Sequence, residues 1–418
     1  MPFGIKARLV QTKAAAQVLR STASDRKNKV LLEAARLLAA RAGEVLAANA
    51  EDLAALKPDA TNAFRDRLML DASRIASMAE SLRQVAALPD PVNEEVERKT
   101  LSNGLLVRRV RSPLGVILMI FESRPNVAVE AFSLAFKSGN VIILRGGKES
   151  MKTTAVLYDI LGAALESQGF DRGMLWGITD PDRKLTNLLL EQTSYIDIVV
   201  PRGGDALIQF VVEHARMPII KNDRGLCHVY VHEDADLKMA LDIIDNAKCQ
   251  RPGVCNSLET VLLNRKIAAV FLPRLHERLS ASLVEWFADV ETQGILKGRS
   301  QVSPATPQSF DTEYLELKLN CRVVDSLDEA IAHIEKHGSK HSEAVITKSE
   351  STAREFQGRV DAAAVYWNAS TRFTDGFELG LGGELGISTQ KLHVRGPVGL
   401  RELTNMRWII DGTGQTRK

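Results

Sequence analysis

The sequence predicts an α/β protein with two doubly wound parallel sheets and a separate charged β-hairpin. Three observations predict it. Short apolar runs alternate with amphipathic segments from Val116 to Ile220, and the same rhythm returns from Thr260 to Trp367. That alternation marks mostly parallel sheets covered by helices on both faces. Ahead of the first run, two charged extended stretches flank Ser102-Asn103-Gly104, and Asn-Gly between strands is a strong hairpin signal. At 418 residues the chain exceeds one ordinary core, so two or three domains are expected.

Taken in order, the first ninety residues read as helices. Lys27 to Ala42 carries Leu31, Leu32, Ala35 and Leu38 at helical spacing, Ala-rich segments continue to Leu88, and Pro89-Asp90-Pro91 closes the region. The hairpin follows, with strands 97–101 and 105–111, whose many charges suit an arm packed on a partner subunit. Strands of the first sheet are predicted at Val116–Phe121, Val141–Leu144, Met174–Ile178, Ile196–Val200 and Met217–Ile220, with helices near 127–138, 151–168, 183–192 and 204–215. A helix near 235–248 leads to the second set: strands Thr260–Leu263, Arg322–Val324, Ala344–Thr347 and Ala363–Trp367, and helices near 266–288, 326–336 and 350–358. The C-terminal part is Gly-rich around 378–386 and ends in a strand near Met406–Ile410. There is no internal repeat.

Composition excludes several classes. A hydrophobic content of 45%, a charged content of 25% and a formal net charge of +2 describe a globular protein with no electrostatic call for nucleic acid or an anionic membrane. No apolar run approaches the roughly 20 residues of a membrane span. Cys227, Cys249, Cys255 and Cys321 have neither scaffold density nor a CxxC spacing. With no signal peptide, this favours the reducing cytosol.

Cys255 is the most informative residue. It lies in the Pro/Gly loop Gln250-Arg-Pro-Gly-Val-Cys255-Asn, between a helix and an apolar strand, where a thiol can meet a substrate. An inert small hydrophobe is the competing reading of any lone cysteine. Two Gly-rich turns follow strands of the first sheet, Leu144-Arg145-Gly146-Gly147-Lys148-Glu149 and Val200-Pro201-Arg202-Gly203-Gly204-Asp205. Each sets bare amides and a cation near a helix N-terminus, where phosphate is favoured, although neither is a G-x-G-x-x-G fingerprint and each alone could be a tight turn. Arg145 and Lys148 lean towards the 2′-phosphate of NADP, a solvated pair being the alternative. His333, His337 and His341 are spaced by four, but Gly338 ends the helix before His341 and no cysteine completes a site, so no metal is expected.

Beyond spacing, the chain resembles the gamma-glutamyl phosphate reductases of the aldehyde dehydrogenase superfamily over about 5–415. The likeness rests on Pro113-Leu-Gly-Val116, Phe121-Glu-Ser-Arg-Pro-Asn126, Ser138 to Glu149, Gln250 to Asn256, His337-Gly-Ser-Lys-His-Ser-Glu343, Asn368 to Gly376, Gly380 to Gln390 and Arg395-Gly-Pro-Val-Gly-Leu400. Cys249, Val345 and the loop Leu317 to Cys321 depart from the pattern without touching these segments.

The resemblance implies an aldehyde dehydrogenase-like fold with an NADP-binding domain of 1–96 and 113–225, a catalytic domain of 226–395, and an oligomerisation arm of 97–112 and 396–418. It implies a homo-oligomeric, cytoplasmic oxidoreductase of proline biosynthesis that uses NADP(H), with a possible contact to the upstream glutamate kinase. In this chemistry Cys255 attacks gamma-glutamyl phosphate, expels phosphate and holds a thioester, which hydride from NADPH converts to glutamate 5-semialdehyde. An acylating or hydrolytic aldehyde dehydrogenase of another substrate is the alternative. Arg145 and Lys148 correspond to the 2′-phosphate position, Gly203 and Gly204 to the pyrophosphate turn, and Glu313 to the glutamate on the nicotinamide ribose. Asn126 or Ser123 would serve as oxyanion donor, and Arg372 and Arg395 are candidates for the substrate's anionic groups. Asn222 stands where hydrolytic relatives carry a glutamate base, with Asp223 beside it.

Overall fold

The computed structural model describes residues 3–222 and 224–417, the side chains of Phe3 and Ala63 excepted. Two compact units divide the chain. The first runs to Asn222 and takes back Gly380–Gly386 and the chain from Val398; the second holds the segment between, to Leu379, with Ile387–Pro397.

Among the described residues of the first unit, five helices precede any strand: Phe3–Arg20, Ser24–Ala40, Ala42–Ala54, Asn62–Leu68 and Ala72–Ala87. Ser24–Ala40 buries Val30, Leu31, Ala34, Ala35 and Leu38, one apolar stripe at helical spacing. Thr61 and Asp71 cap the fourth and fifth helices by accepting the amides of Phe64 and Arg74. Strands β1 (Glu95–Thr100) and β2 (Leu106–Pro113) form the antiparallel hairpin, turning at Gly104 with φ +84°. The C-terminal strand Thr404–Asp411 pairs with the other edge of β2, so residues three hundred positions apart complete one three-stranded arm. Every residue of β1 is exposed.

The parallel sheet of this unit contains β3 (Val116–Phe121), β4 (Val141–Arg145), β5 (Leu175–Ile178) and β6 (Ile198–Arg202), in the order β5-β4-β3-β6. All six residues of β3 are buried, as a continuous apolar run requires when both faces are covered. The expected strand at Met217–Ile220 does not form. Only a single bridge, Val199 to Ile219, remains there, because Pro218 has no N–H to extend a ladder. Its carbonyl still accepts the Val199 amide.

The second unit is built on seven strands: β7 (Cys227–Val231), β8 (Leu258–Asn264), β9 (Glu285–Ala288), β10 (Val302–Pro304), β11 (Lys318–Val324), β12 (Ser342–Ile346) and β13 (Ala364–Trp367). Their order is β10-β9-β11-β8-β7-β12-β13, all parallel. Alternation along each strand divides the core in two. Val229, Val231, Val261 and Leu263 face helices Leu237–Cys249 and Arg265–Ser280, while Tyr230, Leu262 and Val345 face helices Leu327–His337 and Glu350–Arg359. The helix expected over 266–288 stops at Ser280. Leu283 takes a left-handed φ of +57°, and β9 follows, turning Trp286 and Ala288 into the core. Buried Trp286 and Ala288 alternate with less buried Glu285 and Phe287, the period-two pattern of a strand.

Among the described residues no helix is long and apolar enough to cross a membrane.

Candidate active site

Cys255 sits between the end of helix Leu237–Cys249 and the start of β8, half-buried, in a loop fixed from several sides. Asn256, buried beside it, donates from Nδ2 to the carbonyls of Arg372 (3.2 Å) and Thr374 (2.9 Å), and Thr371 donates to the Asn256 carbonyl at 2.7 Å. The segment 370–374 is thereby stitched to the residue after the thiol. Arg372 donates from Nε to Gln250 at 2.9 Å and from Nη1 to Asn256 Oδ1. Burial lowers its pKa and Arg251 lowers it further, while Asp375 and the Cys255 thiolate favour its charge. The guanidinium thus lies in one electrostatic neighbourhood with the Cys255 and Cys227 sulfurs.

The other three thiols are unlike it. Burial pushes Cys249 up to about 11 and drives Cys227 and Cys321 well above the ordinary thiol range. All four are free. Cys227 donates to the Cys255 carbonyl at 3.3 Å and so serves the loop from below.

Glu313 accepts the Gly225 amide at 2.7 Å. Gly225 in turn passes the Cys255 backbone so closely that an added Cβ would lie 1.5 Å from its carbonyl oxygen. Arg395 pairs with Asp361 at 2.7 Å, and Lys391 together with Arg395 holds that carboxyl far below its usual range. Its Nε and Nη2 are buried without a hydrogen-bond partner.

In the first unit the predicted residues collect at the carboxyl ends of β3, β4 and β6, where parallel sheets receive nucleotides. Arg145 ends β4 and is half-buried, donating to Thr186 Oγ1 (3.0 Å), the Gly146 carbonyl (2.6 Å) and the Pro181 carbonyl (3.1 Å). Lys148 is exposed and opens the short turn into helix Met151–Ser167. Gly147 is required by close approach, since a Cβ there would stand 2.3 Å from Ser123 Oγ. The Ser123 hydroxyl is committed to Glu149 at 2.8 Å. Asn126 is exposed at the first position of helix Asn126–Lys137. After β6, the Gly204 amide at the head of helix Asp205–His214 donates to the Glu122 carboxylate at 2.7 Å. Asn222 donates to the Pro201 carbonyl at 3.2 Å, and its Oδ1 is buried without a partner; Asp223 lies outside the described residues.

The histidine cluster takes structural roles. His333 accepts from Arg322 at 3.1 Å and packs on His337 and Phe310, and burial lowers its pKa to about 2, so it is neutral. His337 pairs with Asp311 and His341 with Ser342. Among the described residues, no three His, Cys, Asp or Glu side chains are grouped as a metal ion would need.

Sequence reasoning singled out Cys255 and Arg372 separately; the structure brings them together. It missed the grip of Gln250 and Asn256 on Arg372, and the crossing at Gly225. Gln250 and Asn256 lie in the same quoted loop, so a signal for the first existed. Gly225 has no turn motif to announce it.

The aldehyde dehydrogenase family model matches residues 5–293. Relatives named gamma-glutamyl phosphate reductase include that of Carboxydothermus hydrogenoformans, 49% identical over 97% of this chain and 98% of its own. That of Moorella thermoacetica is 48% identical over 98% and 99%. The chain belongs to the aldehyde dehydrogenase family, among the gamma-glutamyl phosphate reductases. Within this family, the solved gamma-glutamyl phosphate reductase of Thermotoga maritima is similar with a TM-score of 0.95 at 41% identity, covering 99% of each chain. A probable aldehyde dehydrogenase of Listeria monocytogenes, 14% identical with a TM-score of 0.73 over 99% of this chain and 97% of its own, shares the family fold.

Proposed function

We propose that this protein reduces gamma-glutamyl phosphate to L-glutamate 5-semialdehyde and phosphate with NADPH, through a thioester on Cys255, as the second step of proline biosynthesis from glutamate. The near full-length likeness to gamma-glutamyl phosphate reductases supplies the substrate. One observation carries the chemistry: Cys255 alone among the four thiols is a half-exposed loop residue with an arginine, Arg372, held beside it.

The Cys255 thiolate attacks the acyl carbon and phosphate departs with the C–O bonding pair. Sulfur suits the task because its anion is accessible near neutral pH, and its ester is more electrophilic than a carboxylate. Arg372 favours the thiolate by its charge, and Arg372 and Arg395 are the cations of this reading for the substrate's oxyanions. Ser123 is engaged by Glu149, which leaves Asn126 as the oxyanion donor of this reading.

Members of the aldehyde dehydrogenase family use nicotinamide cofactors, and the residues of the first unit fit one. The Gly204 amide already holds an anionic oxygen, that of Glu122, in the manner of a phosphate turn. Arg145 and Lys148 bring two cations to the end of β4 for a 2′-phosphate, while Asn222 keeps a buried acceptor free of protein partners. A reduced nicotinamide held by these residues would supply the hydride, and Cys255 is the group that carries the acyl carbon and is released as thiolate. The lack of a glutamate at Asn222 accords with a thioester that meets phosphate rather than water.

The experiment that tests the reading is run in reverse. Oxidation of glutamate semialdehyde is expected to require phosphate or arsenate and to reduce NADP in preference to NAD. Phosphate-independent turnover would favour a hydrolytic aldehyde dehydrogenase instead.

Cofactor choice has its own test. Arg145 makes three internal hydrogen bonds whose loss would confuse its removal, whereas Lys148 is exposed. Lys148→Glu is expected to weaken NADPH by about tenfold or more, the scale of one charge-assisted contact, and NADH by much less. Equal losses in a fluorescence titration would remove Lys148 from the 2′-phosphate role.

The arm also supports contact with a second copy of the chain, since Val96, Trp408 and Ile410 are each half or more exposed on it.

A further inference from the structure

Lys248 and Glu259 form an ion pair at 3.2 Å with both side chains essentially fully buried. They bracket the catalytic loop. Lys248 lies in the last turn of helix Leu237–Cys249, seven residues before Cys255, and Glu259 is the second residue of β8, four residues after it. The other oxygen of Glu259 accepts the Leu315 amide at 3.3 Å. Leu315 is held in a left-handed conformation at φ +54°, which a branched residue adopts only under restraint. Two residues earlier stands Glu313, whose carboxylate takes the amide of Gly225, packed on the Cys255 carbonyl. One buried carboxylate therefore fastens the loop ends to each other and to the segment that carries Glu313.

The pair is an expensive way to close a loop. Burial lowers the pKa of Lys248 and raises that of Glu259 to about 7, so at both ends desolvation outweighs attraction. Similar-volume apolar groups would fill the space at no such cost. We infer that Lys248 and Glu259 are positioning residues for the nucleophile, holding Cys255 and Glu313 in a single constellation, an inference that rests on the reading of Cys255 as the nucleophile.

The double variant Lys248→Met/Glu259→Met removes both charges and leaves neither partner buried alone. It is expected to melt close to the wild type. In the semialdehyde, phosphate and NADP assay, kcat should fall about tenfold or more while KM for semialdehyde stays within about threefold, since misplacement acts on the transition state rather than on uniform binding. The rate of Cys255 alkylation by iodoacetamide should shift alongside kcat. A folded double variant with wild-type kcat and alkylation rate would overturn the inference. A second measurement needs no variant: in the wild type, the Leu315 amide is expected to resist hydrogen exchange, and exchange at open-loop rates would also overturn it. Wild-type enzyme that keeps its turnover after alkylation at Cys255 would sink the nucleophile reading, and this inference with it. A double variant without effect sinks the positioning role alone.

Discussion

Replacing Cys255 with serine is expected to cut phosphate-dependent turnover by about a thousandfold or more, with the fold intact. The substitution exchanges one chalcogen for another in a half-exposed loop position. The hydrogen bonds that shape the loop run through the backbone carbonyl of residue 255 and through Asn256, which serine does not disturb. Stability should therefore stay within about 0.5 kcal/mol of the wild type. Reactivity is another matter. A neutral serine hydroxyl offers almost no anion at neutral pH, and the charge of Arg372 cannot replace a general base for an alcohol. Incubating enzyme with acyl donor in the absence of cofactor should give a mass increase at residue 255 in the wild type and none in the variant. A serine variant that keeps a tenth of wild-type turnover would mean the acyl group travels by another route.

The parallel sheets were legible because buried strands are written as apolar runs. Val116–Phe121 and Val141–Leu144 are buried throughout, and their shortness, their β-branched residues and the Gly and polar residues that bound them mark strands rather than buried helix. Legibility failed where local signals conflict. Residues 266–288 contain enough helix formers to mask the strand Glu285–Ala288, which is decided by Leu283 turning left-handed and by Trp286 finding the core. At the site, chemistry-bearing residue types were visible, while the bonds that orient them were not. The Lys248–Glu259 pair joins a helix end to a strand start, and Glu313 reaches Gly225 across eighty-eight positions. Such contacts follow from the topology of the second sheet, which places the end of helix Leu237–Cys249 and the starts of β7 and β8 side by side, and no spacing rule encodes them.

Gly225 gives the second large expectation. Gly225→Ala should reduce turnover by about a hundredfold and destabilise the protein by about 1–3 kcal/mol, the range for overpacking. The obstacle is steric, since Gly225 does not have the left-handed φ that favours glycine. The methyl group would meet the Cys255 carbonyl oxygen at 1.5 Å, its carbon at 2.4 Å and the Cα at 2.9 Å. These are backbone atoms, so no side chain can rotate aside. To regain a 3.0 Å contact the strand entry or the catalytic loop has to retreat by roughly half the diameter of a methyl group. Either movement also pulls the Gly225 amide away from Glu313, and a shift of about 1 Å in a reacting group is enough for losses of this size. Urea unfolding measures the loss of stability. The turnover loss is separated from unfolding by the rate at which iodoacetamide modifies Cys255 in protein that remains folded. A folded Gly225→Ala variant with unchanged turnover and unchanged alkylation would show that the close crossing has no part in placing the sulfur.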